Sequence, residues 1–358
     1  MTLQEILSRL HGVHGSGKQY TARCPAHDDH NASLSISHTA GGFDLIITVT
    51  LNPALDKTVE IPHFSLDTVN RITAWRIDPG GKGLNVSKAL AKLGGVSTAV
   101  GVLGGASGRR IADAIQELGV EGRFTFTEGE TRTNIKAVDP ENHTNTELNE
   151  PGLTVSSAVL DRMRADLVEM LCPGDLVVLA GSLPQGASAD TYGVWTAACR
   201  AAGARVFLDA DGEALAHGLA AKPYLVKPND HELSRLVGRT LTTADELLAA
   251  ARELIAGGVE RVVVSMGRDG ALFVSADSAY RAEGISVPVG STVGAGDSMV
   301  AALVFAAEQG MSEADTIRLA IAASAANVMC SGSQAAERSA VDALLPRVLF
   351  RRIDTGIH

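Results

Sequence analysis

From Leu45 onward, the sequence alternates short apolar runs rich in β-branched residues with longer stretches of helical spacing, and this constrains the fold most. The runs "VSTAVGVL", "DLVVLAG", "ARVFLDA", "PYLVKPN" and "ERVVVSMG" are apolar almost throughout, not at every second residue. Strands of that kind have to be covered on both faces, and "TYGVWTAACRAAG" and "TADELLAAARELIAGG" supply helices long enough to cover them. Parallel neighbours need such crossovers, so the pattern predicts an α/β fold, a doubly wound and mostly parallel sheet flanked by helices. Three segments break the rhythm: "KTVEIPHF", "NRITAWRID" and "TNIKAVDPENHTNTELNEPG". They are more polar, alternate in part, and lack a long helix between them. They predict a small antiparallel β flap, a lid drawn from about 57–77 and 130–150.

With 358 residues, 45% of them apolar, the chain can bury one large core or two ordinary ones. A net charge of −10 argues against a nucleic-acid surface, so an anionic ligand has to be met by local positive charge. The four cysteines, Cys24, Cys172, Cys199 and Cys330, are widely spaced without a CxxC, which argues against a disulfide framework or a complete zinc site. The first residues, "MTLQEILSRLHGVHG", lack the apolar core of a signal peptide, and no stretch has the apolar length of a membrane span. These features predict a cytoplasmic protein that binds neither membrane nor nucleic acid. Texture changes before the first strong strand, "LIITVTL", which sets a boundary between a prefix, 1–44, and a main domain, 45–352, with a tail at 353–358.

Two glycine-rich turns carry the chemistry. In "GSTVGAGDSM", 290–299, the turn opens an apolar helix. Amides at a helix start lack intrahelical partners and sit at the positive end of the dipole, so Gly294, Ala295 and Gly296 can present N–H groups to a phosphate. Asp297 then makes sense as the base that takes the proton of an attacking hydroxyl. An ordinary capped helix would use the same residue types. In "DPGGKGLNVSKALAKLGG", 78–95, Gly80, Gly81 and Gly83 allow close approach of a polyhydroxylated ligand; Lys82 adds a cation and Asn85 adds donors and acceptors. A plain strand-to-helix turn with a solvated lysine is the alternative.

Both stretches resemble signatures of the ribokinase-type, or PfkB, carbohydrate kinases, and the resemblance runs from about Leu45 to about Arg352. It implies a ribokinase-like fold with the 294–296 amides as an anion hole and Asp297 as catalytic base, and it implies ATP with Mg²⁺. It also assigns Gly81, Lys82 and Asn85 to a sugar phosphate site. In "TLNPALDKTVEI", Asp56 lies after a predicted strand end, where ligands of open α/β sheets gather, and the family's aspartate at this place contacts sugar hydroxyls. In "GETRTNIKA", Arg132 and Asn134 are two residues apart on a predicted strand and so share a side. Arginine suits bidentate phosphate binding, and the element resembles the phosphate grip of the family's phosphosugar branch.

On the nucleotide side stand Lys227 and Asn229 of "YLVKPNDHEL", with Glu232 three residues beyond Asn229. The pair resembles the family NxxE element, which implies Mg²⁺ near Glu232 through water; a helix cap with its capping-box partner reads equally well, and both roles can coexist. Ser265, Gly267 and Gly270 form a turn where a nucleotide can lie, Thr292 precedes the anion hole, and Asn327 is expected near the adenine unless it is only a helix-surface residue. The resemblance implies ATP-dependent phosphorylation of a phosphorylated ketohexose, with fructose 1-phosphate ranked ahead of tagatose 6-phosphate and fructose 6-phosphate, and two copies pairing through the lid. A non-catalytic sugar phosphate sensor is the rival. Asp211, where serine is common, and Leu153, where proline is common after "EPG", depart from the pattern outside the catalytic set. The prefix stretch "YTARCPAHDDHNASLSIS" resembles half of a primase-type zinc-binding module. Cys24 and His27 would be one CxxH ligand pair without a second, so the prefix is read as a truncated remnant with disorder as one outcome.

Overall fold

The computed structural model describes residues 13–16, 19–22, 34–37 and 45–353. The chain divides into two compact units, Met1–Leu45 and Ile46–His358. In the first, β1 (His14–Ser16), β2 (Gln19–Ala22) and β3 (Leu34–Ser37) form a three-stranded antiparallel sheet. Cys24 and His27, expected as a ligand pair, lie outside the described residues, as do 354–358 of the tail.

The second unit opens with β4 (Ile46–Thr50), β5 (Ala54–Glu60), β6 (Ala74–Gly80), α1 (Lys82–Leu93), β7 (Thr98–Gly104), α2 (Gly105–Glu117) and β8 (Glu121–Thr127). It continues with β9 (Thr133–Asp139), β10 (Thr144–Asn149), α3 (Ser157–Met170), β11 (Leu176–Ala180), α4 (Thr191–Ala201), β12 (Arg205–Asp209), α5 (Gly212–Ala220) and β13 (Leu225–Val226). It closes with α6 (Asp230–Leu236), α7 (Ala244–Ala256), β14 (Arg261–Ser265), β15 (Ala271–Ser275), β16 (Ala279–Ala282), α8 (Ala295–Glu308), α9 (Glu313–Val328), α10 (Arg338–Leu344) and β17 (Phe350–Arg352).

Ten strands form one sheet in the order β17-β16-β15-β14-β13-β12-β11-β4-β7-β8. From β14 to β8 every pairing is parallel. Every residue of β4, β7 and β11 is buried, which is why their sequences read as continuous apolar runs. The chain leaves β4 toward β7 and β8, then returns to β11 on the other flank. Strand order therefore reverses beside β4, and a crevice opens where the carboxyl ends of its neighbours diverge. At the far edge β14 to β17 are antiparallel: the connections through 266–270 and 276–278 are too short for a crossover, and β17 joins the edge only after the last three helices.

The flap is a four-stranded sheet, β10-β9-β5-β6. Its pairs β9–β10 and β5–β6 are antiparallel as expected, but β5 and β9 run parallel from Leu55↔Thr133 to Glu60↔Val138. The two strands are separated by β6, β7, β8 and their helices, a connection long enough for parallel pairing, so the flap is mixed rather than purely antiparallel.

Inside the core, α8 is buried on almost every face, from Ser298 through Val304. Val300, Leu303 and Val304 join Phe207 and Val263 of the sheet and Ile317 and Ile321 of α9 in one cluster. Burying an apolar helix of this kind stabilises the fold by roughly 25 cal/mol per Å² removed from water. It also fixes the helix axis, so the first turn of α8 meets the crevice at a defined place.

Candidate active site

The crevice has a volume of about 1050 Å³. The end of β4 contributes Thr50 and Asn52; β11 leads to Gly181 and Ser182, β12 ends in Asp209, β13 leads to Lys227, and β14 ends in Ser265. The flap supplies Asp56, Arg132 and Asn134, and the glycine-rich turns supply Gly81, Lys82, Asn85 and 292–297. Glu232, Asn229, Gly267 and Gly270 line the same space. Among the described residues, eight buried side-chain polar atoms have no hydrogen-bond partner, and six belong to this lining: Thr50 Oγ1, Asn85 Oδ1, Arg132 Nε, Asn134 Oδ1, Asp209 Oδ2 and Ser333 Oγ. Buried polar atoms are rarely left unmet, so their concentration here marks a site that a polar ligand completes.

The mouth of α8 is built by two glycine conformations and one buried asparagine. Gly294 is the N-cap, with φ 80, and no side chain caps the helix. A left-handed residue there turns the chain directly into the helix and leaves the first amides facing the crevice. Asn327, expected near the adenine, is instead 1% exposed and does not line the crevice. Its amide nitrogen donates to Val293 O at 2.9 Å and its oxygen accepts from Ser298 Oγ at 2.9 Å. It braces the turn from behind, because both ends of its side chain are used there.

Asp297 is 7% exposed and accepts a hydrogen bond from Asn85 Nδ2 at 2.8 Å. Burial raises its pKa to about 6, with the charge of Asp209 adding to the rise and Lys82, Asn85 and Lys227 pulling it back. A carboxylate tuned toward neutrality is suited to proton abstraction. Asn85, expected to touch substrate, thus has its donor on Asp297, while its Oδ1 stays open to a ligand.

Asp209, which the sequence reading had not singled out, organises the cations. Lys82 Nζ lies 3.1 Å and Lys227 Nζ 3.7 Å from Asp209 Oδ1. Burial opposes ionisation of Asp209, but the two lysines outweigh it and hold its pKa below the usual carboxylate range. Burial likewise works against the Lys82 ammonium, yet Asp209, Asp297 and Glu232 keep its pKa above the ordinary value. A lone acid closing the buried run "RVFLD" was the available signal, since a charge at the carboxyl end of a parallel strand points into the crevice. Lys136 of β9 was also missed; its Nζ lies 3.4 Å from Ser291 Oγ and joins the flap to the glycine-rich turn.

Across the crevice, Arg132 Nη2 donates to Asn52 O at 2.9 Å and Nη1 to Glu150 O at 3.1 Å, which leaves Nε buried and unmet. Asn134 Nδ2 donates to Asp56 Oδ1 at 3.1 Å. Gly81 caps α1 with φ 114, and a Cβ there would lie 2.7 Å from Thr50 Cγ2, so both conformation and space require glycine. On the opposite wall Asn229 is the N-cap of α6 and Glu232 its capping-box partner, with reciprocal bonds of 2.7 and 2.9 Å, and both also line the crevice.

A model of the pfkB family of carbohydrate kinases matches residues 49–340. The chain belongs to the pfkB family. It is 46% identical over 278 residues to a 1-phosphofructokinase of Rhodobacter capsulatus, covering 77% of this chain and 88% of that protein. With a 1-phosphofructokinase of Haemophilus influenzae the identity is 37% over 311 residues, 86% of this chain and 99% of the other. Among solved structures, the tetrameric inhibited form of phosphofructokinase-2 from Escherichia coli superposes with a TM-score of 0.80 at 32% identity, covering 85% of this chain and 99% of that one. The two pfkB signatures read from the sequence coincide with the α1 and α8 mouths that face each other here.

Proposed function

We propose that the chain transfers the γ-phosphoryl group of ATP to the 6-hydroxyl of fructose 1-phosphate, giving fructose 1,6-bisphosphate and ADP. One observation carries this reading: the buried Asp297 carboxylate opens on the same crevice as Arg132 and Lys82. A base beside a helix mouth serves phosphoryl transfer, and fixed positive charge on the sugar side favours an acceptor that is already phosphorylated. In this mechanism Arg132 grips the substrate phosphate, Asp56 and Asn134 receive sugar hydroxyls, and Asp297 takes the proton of the attacking hydroxyl as the new P–O bond forms. The amides of 294–296 meet the charge on the transferring group. Lys82, held by Asp209, joins Arg132 in meeting the sugar phosphate, and Lys227, Thr292, Ser265, Gly267 and Gly270 flank ATP.

The donor set also fits Mg²⁺. Asp209 Oδ2 is buried and unmet, and Glu232 shares the crevice. Among the described residues no group of three or more acidic, His or Cys side chains forms a cage, which suits an ion that keeps water and phosphate as ligands. When bound, the ion supplies charge neutralisation between the phosphates. Among the described residues no helix is long and apolar enough to cross a membrane. An ATP-consuming sugar kinase of this kind works in the cytoplasm. Exposed Leu66, Val69, Trp75 and Leu148 give the flap an apolar outer surface on which two copies pair.

Coupled ADP-release assays with fructose 1-phosphate, tagatose 6-phosphate and fructose 6-phosphate test the reading. The highest kcat/KM is expected for fructose 1-phosphate. Tight binding of one sugar phosphate without turnover of any would favour a sensor instead.

A further inference from the structure

Lys88 lies in the second turn of α1, is 6% exposed, and is absent from the crevice lining. Its ammonium donates to two backbone carbonyls, Pro79 O at 2.6 Å and Ser333 O at 2.7 Å. We propose that Lys88 is a positioning residue that ties the sugar-side turn to the crevice loop that follows α9 and adjoins the glycine-rich turn, so that the two substrate sites are held as one unit. The inference rests on the kinase reading above.

On the sugar side, Pro79 leads into Gly80 and Gly81. A Cβ at Gly80 would lie 2.0 Å from Asp56 Oδ2, so the Asp56 carboxylate packs directly on this turn. Where the turn goes, the sugar-facing carboxylate has to follow. On the other side, Gly332 and Ser333 line the crevice. A Cβ at Gly332, φ 63, would lie 2.9 Å from Asp78 Oδ2, so the loop is pressed against the Arg76–Asp78 ion pair, whose contacts are 2.6 and 2.7 Å. That loop follows α9, and Val328 O at the end of α9 accepts the N–H groups of Gly290 at 2.8 Å and Ser291 at 3.1 Å. The anchored segment is therefore continuous with the wall that becomes the anion hole.

A lysine is an expensive way to fill a buried position unless its charge is used. Burial lowers the Lys88 pKa to about 8, and Arg76 adds to the fall, while Asp56, Asp78 and Asp297 hold the ammonium up against them. An apolar side chain would fill the volume but take the ammonium donor away from the part-buried Pro79 carbonyl and the buried Ser333 carbonyl. What the lysine adds is one cation reaching both segments from the helix that separates them.

The test is Lys88→Met, with wild-type turnover of fructose 1-phosphate measured first; if the wild type is inactive, the kinase reading fails and not this one. KM for each substrate and kcat are measured, along with calorimetric binding of a non-hydrolysable ATP analogue with and without fructose 1-phosphate. In folded Lys88→Met, both KM values should rise about tenfold, the scale of one charge-assisted hydrogen bond, with kcat within about threefold of wild type. The enhancement of analogue binding by the sugar phosphate should fall toward unity. A folded variant with both KM values within about twofold of wild type, or with only one raised, would overturn the tie. Should Lys88→Met not fold, Gly332→Ala displaces the same loop from the other end. A joint rise of both KM values then supports the proposal, and unchanged or singly raised values sink it.

Discussion

At the mouth of α8, Asp297 already has a donor from Asn85, and its turn is braced from behind by Asn327. On the flap, Arg132 and Asn134 each keep a buried polar atom without a partner, and the sheet that carries them has exposed Trp75 and Leu148 on its surface. The first region hangs on a helix locked into the main core; the second is a mixed four-stranded sheet with a small cluster of its own, Val59, Ile61 and Ala137. Rigid burial suits the group whose pKa and position set the chemical step, whereas unmet donors on a separate sheet suit recognition that a ligand completes. Under the proposed mechanism, kcat belongs to the helix mouth and sugar phosphate affinity to the flap.

Asp297→Asn should break the helix-mouth half most severely. It removes the proposed base but keeps the size and the Asn85 contact in altered form, so kcat should fall by about 10² to 10⁴. Calorimetric affinity for fructose 1-phosphate should stay close to wild type. Near-normal turnover would remove Asp297 from the role and erase the division of labour with it.

Arg132→Met should break the flap half, with the opposite signature. Losing a charge-assisted grip is expected to raise KM for the sugar phosphate by about 10- to 100-fold while kcat changes little. Arg132→Lys should recover only part of this, because an ammonium cannot reproduce a planar fork. If kcat falls and KM does not, the arginine serves the transition state and the comparison is wrong on the flap side.

The pH profile sharpens the helix-mouth half. Asp297 must be ionised to accept a proton, and its pKa is raised to about 6, so activity is present above that value and lost as pH falls through it. From pH 6 to pH 5, kcat/KM should decline by up to about tenfold. An acid limb near 4 would mean that burial does not tune this carboxylate.

How much of this was legible in sequence follows the same division. The buried parallel strands were readable because a strand covered on both faces must be apolar throughout, and the two glycine-rich turns because few other residues permit their geometry. The parallel β5–β9 pairing was not, since alternation reports which side of a strand is wet and not which direction its neighbour runs. Asp209 and Lys88 were missed for a related reason: each matters through residues more than 100 positions away, Lys82 for the first and Ser333 for the second. Asn327 shows the reverse error, a side chain correctly noticed near the site but assigned to ligand when both its polar ends are used by the protein.

A smaller effect asks whether the base is held ready at a cost to the fold. The folded pKa of Asp297, about 6, lies above the ordinary aspartate value of 3.8, so the native state binds the proton more tightly than the unfolded chain. The native state is therefore favoured by this group below about pH 4 and loses that contribution as pH rises through about 6. At pH 8 wild type should carry the full penalty of burying the ionised carboxylate, and Asp297→Asn should be more stable by an amount on the order of 1–3 kcal/mol, read as a higher Tm. The Tm gap should narrow as pH falls below about 6 and nearly close by about pH 4, where the wild-type carboxyl is neutral like the amide. A gap that is absent at pH 8, or that widens in acid, would mean Asn85, Lys82 and Lys227 fully compensate the buried charge. The helix mouth would then be no more strained than the flap.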